Sequence, residues 1–490
     1  MKKRSFRLLC MLGAFGVLLG GYGVLSYFTQ QEDTAETADT ITVAAVEENQ
    51  VTAISWTYQG ETISLSQQDN GGWVNTEDEA MPVDKDKVEE MLSSLQSVVS
   101  TRSIENPENL SDYGLEDPAC SINVTEQDGT VLAFSIGDYN SVSGQYYMLY
   151  QDTVYLVDST LLSAYSVSQQ ELIAYETLPD LSDTTSISIA SGSSQLQLVH
   201  ETEGMEAFTY NTDAYTWFSR QEDSYTPLST SAVNDLKSKI TGMSFLSCES
   251  WNADTDDLAE YGLSQPAGTV TVTYLEDTED EDSTKEPAVQ TITLRLGDYT
   301  EDGCYVMLEG AKMVYTIDSS TADALLLASV NELLPTKICL IPENTVTSME
   351  ITLDGVSSEI TLTHEETTDE DGETSTETIS ISSGVTLDQD AVDAAFESLQ
   401  SLESQGTAAS DAGQREPVLS ITFHRNTETY SELTLTFSTY DSTNYLVTFQ
   451  GESRMLASKS DVRNLMDLLE TALNSTVEED STAEAESAES

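Results

Sequence analysis

Two short motifs recur along this chain of 490 residues, in the same order and at nearly constant spacing. A Tyr-Gly-Leu-x-x-Pro motif occurs twice at an offset of 148 residues, at Tyr113, Gly114, Leu115 and Pro118 and at Tyr261, Gly262, Leu263 and Pro266. A Gly-Asp-Tyr motif follows each copy, at Gly137 and Asp138, with Tyr146 and Tyr147 after it, and at Gly297 and Asp298. Ordered landmarks at a nearly constant offset indicate a duplicated structural unit.

Within each unit the hydrophobic period changes in the same order. Alternating apolar residues such as Ile54, Trp56 and Tyr58 predict strands, and Asn70-Gly71 predicts a hairpin turn. Apolar residues at helical spacing then predict an amphipathic helix, which in the first unit begins near Asp84. The helical stripes are Val88, Leu92, Leu95 and Val99, then Val233, Leu236 and Ile240, then Val392, Phe396, Leu399 and Leu402.

Further strands and a short helix close each unit, with Asp158, Asp318 or Ser460 at the cap position of that helix. This order predicts an α+β fold of tandem repeated units, each a mainly antiparallel sheet plus one amphipathic helix, preceded by a single transmembrane helix. The third unit is degenerate, because it lacks both landmark motifs. The predicted segments are a basic stub and anchor (1–28), an acidic tether (29–49), three units (50–180, 181–341 and 342–472) and a disordered acidic tail (473–490).

The N-terminus predicts a membrane anchor. Four basic residues precede an uncharged run at 8–28, which is long enough to cross a bilayer as one helix. The basic flank predicts a cytoplasmic N-terminus and an extracytoplasmic bulk in a single-pass cell-membrane protein. A cleaved signal peptide is the alternative, although no convincing cleavage site follows the run.

The landmarks carry a family resemblance. They stand in one order: a Trp-containing hairpin, an amphipathic helix, Tyr-Gly-Leu-x-x-Pro, Gly-Asp-Tyr and a Val-Tyr-x-Val-Asp strand. This order resembles the bacterial domain-of-unknown-function family 4340, over most of residues 50–341 and more weakly over 342–472. The resemblance implies an extracytoplasmic, membrane-anchored module that is often encoded beside ABC transporter subunits. It implies no catalytic residue.

Charge excludes one class of partner. The chain has 86 Asp and Glu residues against 19 Lys and Arg residues, for a net charge of −67. A surface this negative repels phosphate backbones, so we predict no nucleic-acid binding. Outside the anchor, an even number of cysteines leaves two disulfides open, but isolated strand cysteines are more often small buried residues. They are Cys120, Cys248, Cys304 and Cys339.

Motifs for catalysis or cofactor binding are not found in the sequence. There is no Gly-x-Ser-x-Gly elbow and no Gly-Lys dipeptide, and we predict no enzyme activity, no cofactor and no metal site. Two of the three histidines, His200 and His364, end equivalent strands, and His424 has no partner at a zinc-like spacing, which favours structural roles. The acidic runs at 276–282 and 365–377 indicate solvated hairpin tips and leave weak divalent-cation binding open.

These features predict an accessory protein that binds envelope or transporter proteins, using an aromatic sheet face such as Tyr146 and Tyr147 or a groove between units. A surface or cell-wall binding protein without a transporter partner is the alternative, and an extracytoplasmic hydrolase is a distant third. For the two landmark motifs themselves, structural roles are favoured. In the Tyr-Gly-Leu motif Gly takes a positive φ and Pro fixes the entry to a strand, and in the Gly-Asp-Tyr motif Asp138 and Asp298 are expected to lie in turns.

Overall fold

A computed structural model describes residues 40–276, 287–368, 374–408 and 415–476. Within these ranges no helix is long and apolar enough to cross a membrane. The predicted anchor at 8–28 lies outside the described residues, as do 29–39 of the tether, 477–490 of the tail, 277–282 of the first acidic run and 369–373 of the second.

The first repeat is built on an antiparallel sheet. Its strands are β1 (Ile41–Ala44), β2 (Val51–Tyr58), β3 (Glu61–Gln67), β4 (Trp73–Asn75), β5 (Val98–Ser100), β6 (Arg102–Glu105), β7 (Cys120–Glu126), β8 (Val131–Asn140), β9 (Gln145–Tyr150) and β10 (Thr153–Val157). Eight of them form a sheet in the order β4-β3-β2-β7-β8-β9-β10-β6, and β1 pairs separately with β5. The helices are α1 (Lys85–Ser93) and α2 (Ser159–Tyr165).

The second repeat has nine strands in the same general arrangement. They are β11 (Thr184–Ser191), β12 (Ser194–His200), β13 (Trp217–Gln221), β14 (Ser224–Pro227), β15 (Ser247–Ser250), β16 (Gly268–Glu276), β17 (Ala288–Tyr299), β18 (Gly303–Leu308) and β19 (Val314–Asp318). The sheet order is β14-β13-β12-β11-β16-β17-β18-β19-β15. The helices are α3 (Thr230–Thr241), α4 (Ser319–Leu326) and α5 (Val330–Leu333).

The third repeat keeps this order without the sequence landmarks. Its strands are β20 (Val346–Leu353), β21 (Val356–Thr368), β22 (Thr374–Ser382), β23 (Val385–Thr386), β24 (Ser404–Thr407), β25 (Pro417–Arg425), β26 (Glu432–Thr439), β27 (Asn444–Phe449) and β28 (Glu452–Ser458). The sheet order is β23-β22-β21-β20-β25-β26-β27-β28-β24, and helices α6 (Gln389–Ser401) and α7 (Lys459–Asn474) pack against each other. The predicted sheet-rich α+β repeats are therefore confirmed.

Alternating apolar residues build the core as the sequence predicts. Ile54 and Trp56 of β2 are almost fully buried, and in the third repeat Phe396 of α6 packs edge-on against Phe423 of β25 with ring centroids 6.5 Å apart. Asp84 caps α1, because its carboxylate accepts hydrogen bonds from two backbone amides of the first turn. Both acidic runs join paired hairpin strands, β16 to β17 and β21 to β22.

Two predicted helix boundaries are wrong. Helix α1 ends at Ser93, so Val99 belongs instead to β5, where it is 39% exposed and pairs with Thr42. Helix α7 begins at Lys459, so its cap residue is Ser458 and not the predicted Ser460. It spans 16 residues, whereas a short helix was predicted. A propensity pattern does not locate an element's ends when a neighbouring strand competes for the same residues.

Part of the predicted tether is folded. Residues Ile41–Ala44 form β1, and Val46, which donates its amide to the Leu95 carbonyl, is buried. The pairing with β5 satisfies backbone groups that a tether would leave to water. Folded structure therefore begins about nine residues earlier than the sequence predicts.

The chain divides into two compact units. One contains the residues up to Thr177 with Ser247–Ala253 and Lys312–Val314. The other contains Leu178–Leu246, Asp254–Ala311 and all residues from Tyr315 onward. The second and third repeats therefore belong largely to one compact unit.

Candidate binding site

The Tyr-Gly-Leu motif of the first repeat forms a turn that lies over strand β8. Gly114 ends a 3-10 turn with φ of +66°, a conformation that other residues rarely adopt. A Cβ at Gly137 of β8 would overlap the carbonyl oxygen of Tyr113, and one at Gly114 would lie 2.5 Å from the Asp138 carboxyl group. Each glycine is therefore required by a close backbone approach.

The second repeat reproduces this contact. Gly262 has φ of +69°, and a Cβ at Gly297 would overlap the Tyr261 carbonyl oxygen. The same oxygen accepts a hydrogen bond of 2.9 Å from the Asp298 amide, while Leu263 is fully buried. In the first repeat Leu115 is likewise buried, and the two motif prolines lie two residues before β7 and β16, at Pro118 and Pro266. The geometry favours the structural interpretation of both motifs.

The expectation that Asp138 and Asp298 lie in turns is wrong. Both lie within long strands, β8 and β17, at places where the pairing register shifts. A β-bulge bends a strand and re-aims its side chains. Here the bulge makes room for the Tyr-Gly-Leu turn, which explains why the two motifs occur together.

The two tyrosines of β9 differ in their contacts. Tyr147 is half-buried, packs edge-on against Tyr113 at 5.0 Å between ring centroids, and accepts a 2.8 Å hydrogen bond from Asn140. Tyr146 is also half-buried and packs at 5.1 Å against Tyr139, which is 56% exposed. Tyr139 and Tyr146 thus form a small aromatic patch, whereas Tyr147 supports the motif turn.

The histidines have structural partners. His364 is hydrogen-bonded through both ring nitrogens, to the Thr378 hydroxyl at 3.0 Å and the Val346 carbonyl at 2.9 Å. His200 packs on Trp217 at 5.1 Å, and its partial burial lowers its pKa below the usual 6.5. Among the described residues, no group of three or more His, Cys, Asp or Glu side chains is placed to hold a metal.

The four described cysteines are free and buried. The two disulfides that the even number left open are not formed. Burial raises the pKa of the Cys120 thiol to about 12 and that of Cys248 to about 11. These cysteines therefore act as small core residues.

A polar cleft lies between the second and third repeats, at a segment with no counterpart in the first. Residues 201–216 connect β12 to β13, where the first repeat has only the turn 68–72. This connection has its own small core, in which Met205 and Tyr215 pack with Val199 and Phe218. Residues 201–216, the linker at 342–345 and the loop after β25 form the walls of the cleft.

Hydrogen bonds join the two repeats around this cleft. Leu340 donates its amide to the Tyr210 hydroxyl at 3.2 Å, and its carbonyl accepts from the Asn211 side chain at 2.6 Å. The Thr429 hydroxyl donates to the Glu206 carbonyl at 2.7 Å. Burial raises the pKa of Tyr210 well above its usual value, so its hydroxyl stays neutral.

Arg425 lies at the floor of the cleft and is only 8% exposed. Its Nε donates to the Thr345 hydroxyl at 2.9 Å, and its terminal nitrogens donate to the carbonyls of Tyr210 at 2.9 Å and Tyr430 at 3.4 Å. These acceptors are all neutral oxygens. Desolvation lowers the pKa of the guanidinium, which nevertheless stays charged at neutral pH.

The cleft has a volume of about 620 Å³, within the range of small-ligand sites. Three exposed carboxylates lie on its rim, those of Glu206, Asp213 and Glu428. Arg425 is the one cation among its described lining residues. Five threonines line it as well, namely Thr209, Thr212, Thr345, Thr427 and Thr429. The arrangement provides hydrogen-bonding groups and one buried positive charge.

Sequence reasoning predicts a groove between units as one option but does not locate it. A usable signal is the alternation in β25, where Leu419, Ile421 and Phe423 face the core and Arg425 continues the same face. A basic residue at an inward position of a strand is a reason to look for a site.

The family model of the Domain of unknown function (DUF4340) matches this chain twice, over residues 73–218 and 217–418. The chain belongs to the DUF4340 family. No curated protein and no solved structure matches it. The two DUF4340 matches begin on equivalent strands, at Trp73 of β4 and Trp217 of β13. The predicted tandem DUF4340 repeat is confirmed.

Proposed function

We propose that this DUF4340 protein is a membrane-anchored, extracytoplasmic accessory protein that binds envelope or transporter proteins and catalyses no reaction. The observation that carries the binding role is the polar cleft between the second and third repeats, with Arg425 buried at its floor. A concave site with a few convergent polar groups is the usual form of a ligand site.

The sequence supports the anchored topology. In that topology, about a dozen residues separate the end of the uncharged run from β1. Even fully extended, a dozen residues span at most roughly 43 Å, so the first repeat stays near the membrane surface. Such a position suits docking beside a neighbouring membrane subunit.

The cysteines are consistent with binding rather than covalent catalysis. Each described thiol is buried, and burial raises the pKa of all four, to about 11 for Cys248 and Cys304 and about 12 for Cys120 and Cys339. A cysteine nucleophile needs the opposite, a lowered pKa with access to substrate.

Protease accessibility tests the topology. External protease added to intact, wall-stripped cells is expected to digest residues after the anchor while an N-terminal cytoplasmic tag survives. Digestion only after the cells are lysed would rule out an extracytoplasmic bulk.

Crosslinking in native membranes tests the binding role. We expect capture of envelope or transporter subunits by the full chain, and reduced capture by the double variant Tyr139→Ser/Tyr146→Ser if the aromatic patch is the contact. Tyr147→Ser is the matched control, because Tyr147 packs against Tyr113 within the repeat. This substitution should lower the melting temperature and leave partner capture unchanged. Turnover of a substrate by the purified protein would overturn the proposal.

A further inference from the structure

We propose that the cleft between the second and third repeats binds a peptide with a free terminal carboxylate and a basic side chain, with Arg425 holding the carboxylate. This inference rests on the proposed binding function and assigns that function a site and a ligand chemistry.

The hydrogen bonds of Arg425 indicate the carboxylate. Its guanidinium has five N–H groups, and three bonds to neutral oxygens of Thr345, Tyr210 and Tyr430 are formed among the described residues. Buried charges in proteins are normally paired with an opposite charge. A ligand carboxylate in the cleft would supply that charge and accept the remaining N–H groups.

The rim indicates the basic side chain. Glu206, Asp213 and Glu428 are exposed around the cleft, and the whole chain carries a net charge of −67. A purely anionic ligand would be repelled during its approach, whereas a ligand of net positive charge would be attracted. A carboxylate at the floor and a cation at the rim therefore belong to one ligand.

The walls suit the backbone of a peptide. The hydroxyls of four lining threonines donate to carbonyls of the protein itself, so they offer their remaining lone pairs to the N–H groups of an extended chain; they are Thr209, Thr345, Thr427 and Thr429. Asn344 of the linker is exposed at the cleft and adds a side-chain amide that can both donate and accept. The volume of about 620 Å³ admits a few residues and not a folded domain.

Fluorescence anisotropy with the full-length protein in detergent micelles tests this site. The probe is a labelled pentapeptide pool with Lys fixed at two positions and a free terminal carboxylate. We expect saturable binding that weakens roughly tenfold when the terminus is amidated, and that also weakens when both Lys are replaced by Gln. Equal binding of the amidated pool, or no saturation by about 1 mM, would overturn the proposal.

Variants separate the site from general electrostatics. Asp213→Lys on the rim should weaken binding, while Asp223→Lys makes the same charge change on an exposed residue outside the cleft lining and should not. Arg425→Lys keeps the charge but loses the planar fork, so we expect it to reduce the preference for a free terminus without abolishing it. An equal effect of Asp213→Lys and Asp223→Lys would contradict a localised site.

Two further arms identify the source and separate this inference from the broader one. A protein tail ends in an L-residue and a cell-wall peptide in D-alanine, so pools with each terminus distinguish these sources. Membrane crosslinking with Arg425→Lys is run in parallel. Partner capture without any peptide binding would refute the cleft as a peptide site and leave the proposed accessory role standing. Peptide binding without partner capture would support the peptide site and refute the accessory role.

Discussion

The close approach of Gly297 to the Tyr-Gly-Leu turn makes a quantitative prediction. In Gly297→Ala, the new Cβ would overlap the Tyr261 carbonyl oxygen and lie 3.1 to 3.2 Å from the Leu263 side chain. Relief requires the turn to move away, which loses the Asp298 amide hydrogen bond, about 1 kcal/mol, and disturbs a fully buried leucine, about 1–3 kcal/mol. We expect the free energy of unfolding to fall by about 2–4 kcal/mol.

Urea denaturation followed by circular dichroism measures this loss, and hydrogen-exchange mass spectrometry locates it. The control is Gly310→Ala in the same repeat, where φ is +83° but no atom lies within 4 Å of the new Cβ, so only the backbone penalty of about 1–2 kcal/mol applies. Exchange should accelerate over residues 257–266 in Gly297→Ala alone. If Gly297→Ala costs no more than Gly310→Ala, or exchange there is unchanged, the docking of the two motifs does not explain the glycine.

Three other predictions concern individual polar or titratable side chains. Tyr210→Phe removes the acceptor of the Leu340 amide, so the free energy of unfolding measured by urea denaturation should fall by about 1–3 kcal/mol. The control is Tyr225→Phe, which should change this free energy little, because the Tyr225 hydroxyl has no hydrogen bond among the described residues. The pKa of His200 is below 6.5 in the folded protein, so the unfolded chain takes up this proton first as pH falls. Proton NMR should place the titration midpoint of the His200 ring below 6.5. The variant His200→Gln should reduce the loss of stability as pH falls through that window. Alkylation at pH 8 should leave the four described thiols unmodified until denaturant is added, because they are buried. Rapid labelling of any of these thiols in the native protein would contradict their burial. They are Cys120, Cys248, Cys304 and Cys339.

The repeated architecture could be predicted because its signals are local. The Tyr-Gly-Leu and Gly-Asp-Tyr landmarks mark a turn and a bulge that depend on specific glycines, such as Gly114 and Gly137, and other residues would clash there. The apolar stripes of α3 and α6 fix those helices. The buried residues of α3 are the predicted ones, and α6 buries three predicted residues together with Ala395, while the predicted Leu402 follows the end of the helix.

Competition between elements could not be predicted in the same way. Val99 continues a helical stripe, yet its backbone pairs with Thr42 of β1, more than fifty residues earlier. Asp138 follows a glycine as a turn residue would, yet the strand continues through a bulge. In both cases a tertiary hydrogen-bond ladder overrides a short-range pattern.

The cleft depends on contacts across the longest sequence separations. Arg425 bonds to the Tyr210 carbonyl 215 residues away, and Thr429 to the Glu206 carbonyl 223 residues away. The pattern of one repeat contains no information on which loop of the next repeat meets it. Two local signals mark the place: the β12–β13 connection is longer than its counterpart in the first repeat, and Arg425 occupies an inward position on β25.

The common strand order has a consequence for how fast each repeat folds. Most neighbouring strands of a sheet are joined as hairpins, but the central pairs β2 with β7, β11 with β16 and β20 with β25 join residues about 60 to 90 positions apart. One edge strand of each sheet also pairs with a distant strand, β6 with β10, β15 with β19 and β24 with β28. Closing such a loop costs chain entropy before any contact repays it. Locally formed hairpins therefore wait on the central pairing and on the return of one edge strand, which makes these long-range pairings the slow steps in the assembly of each sheet.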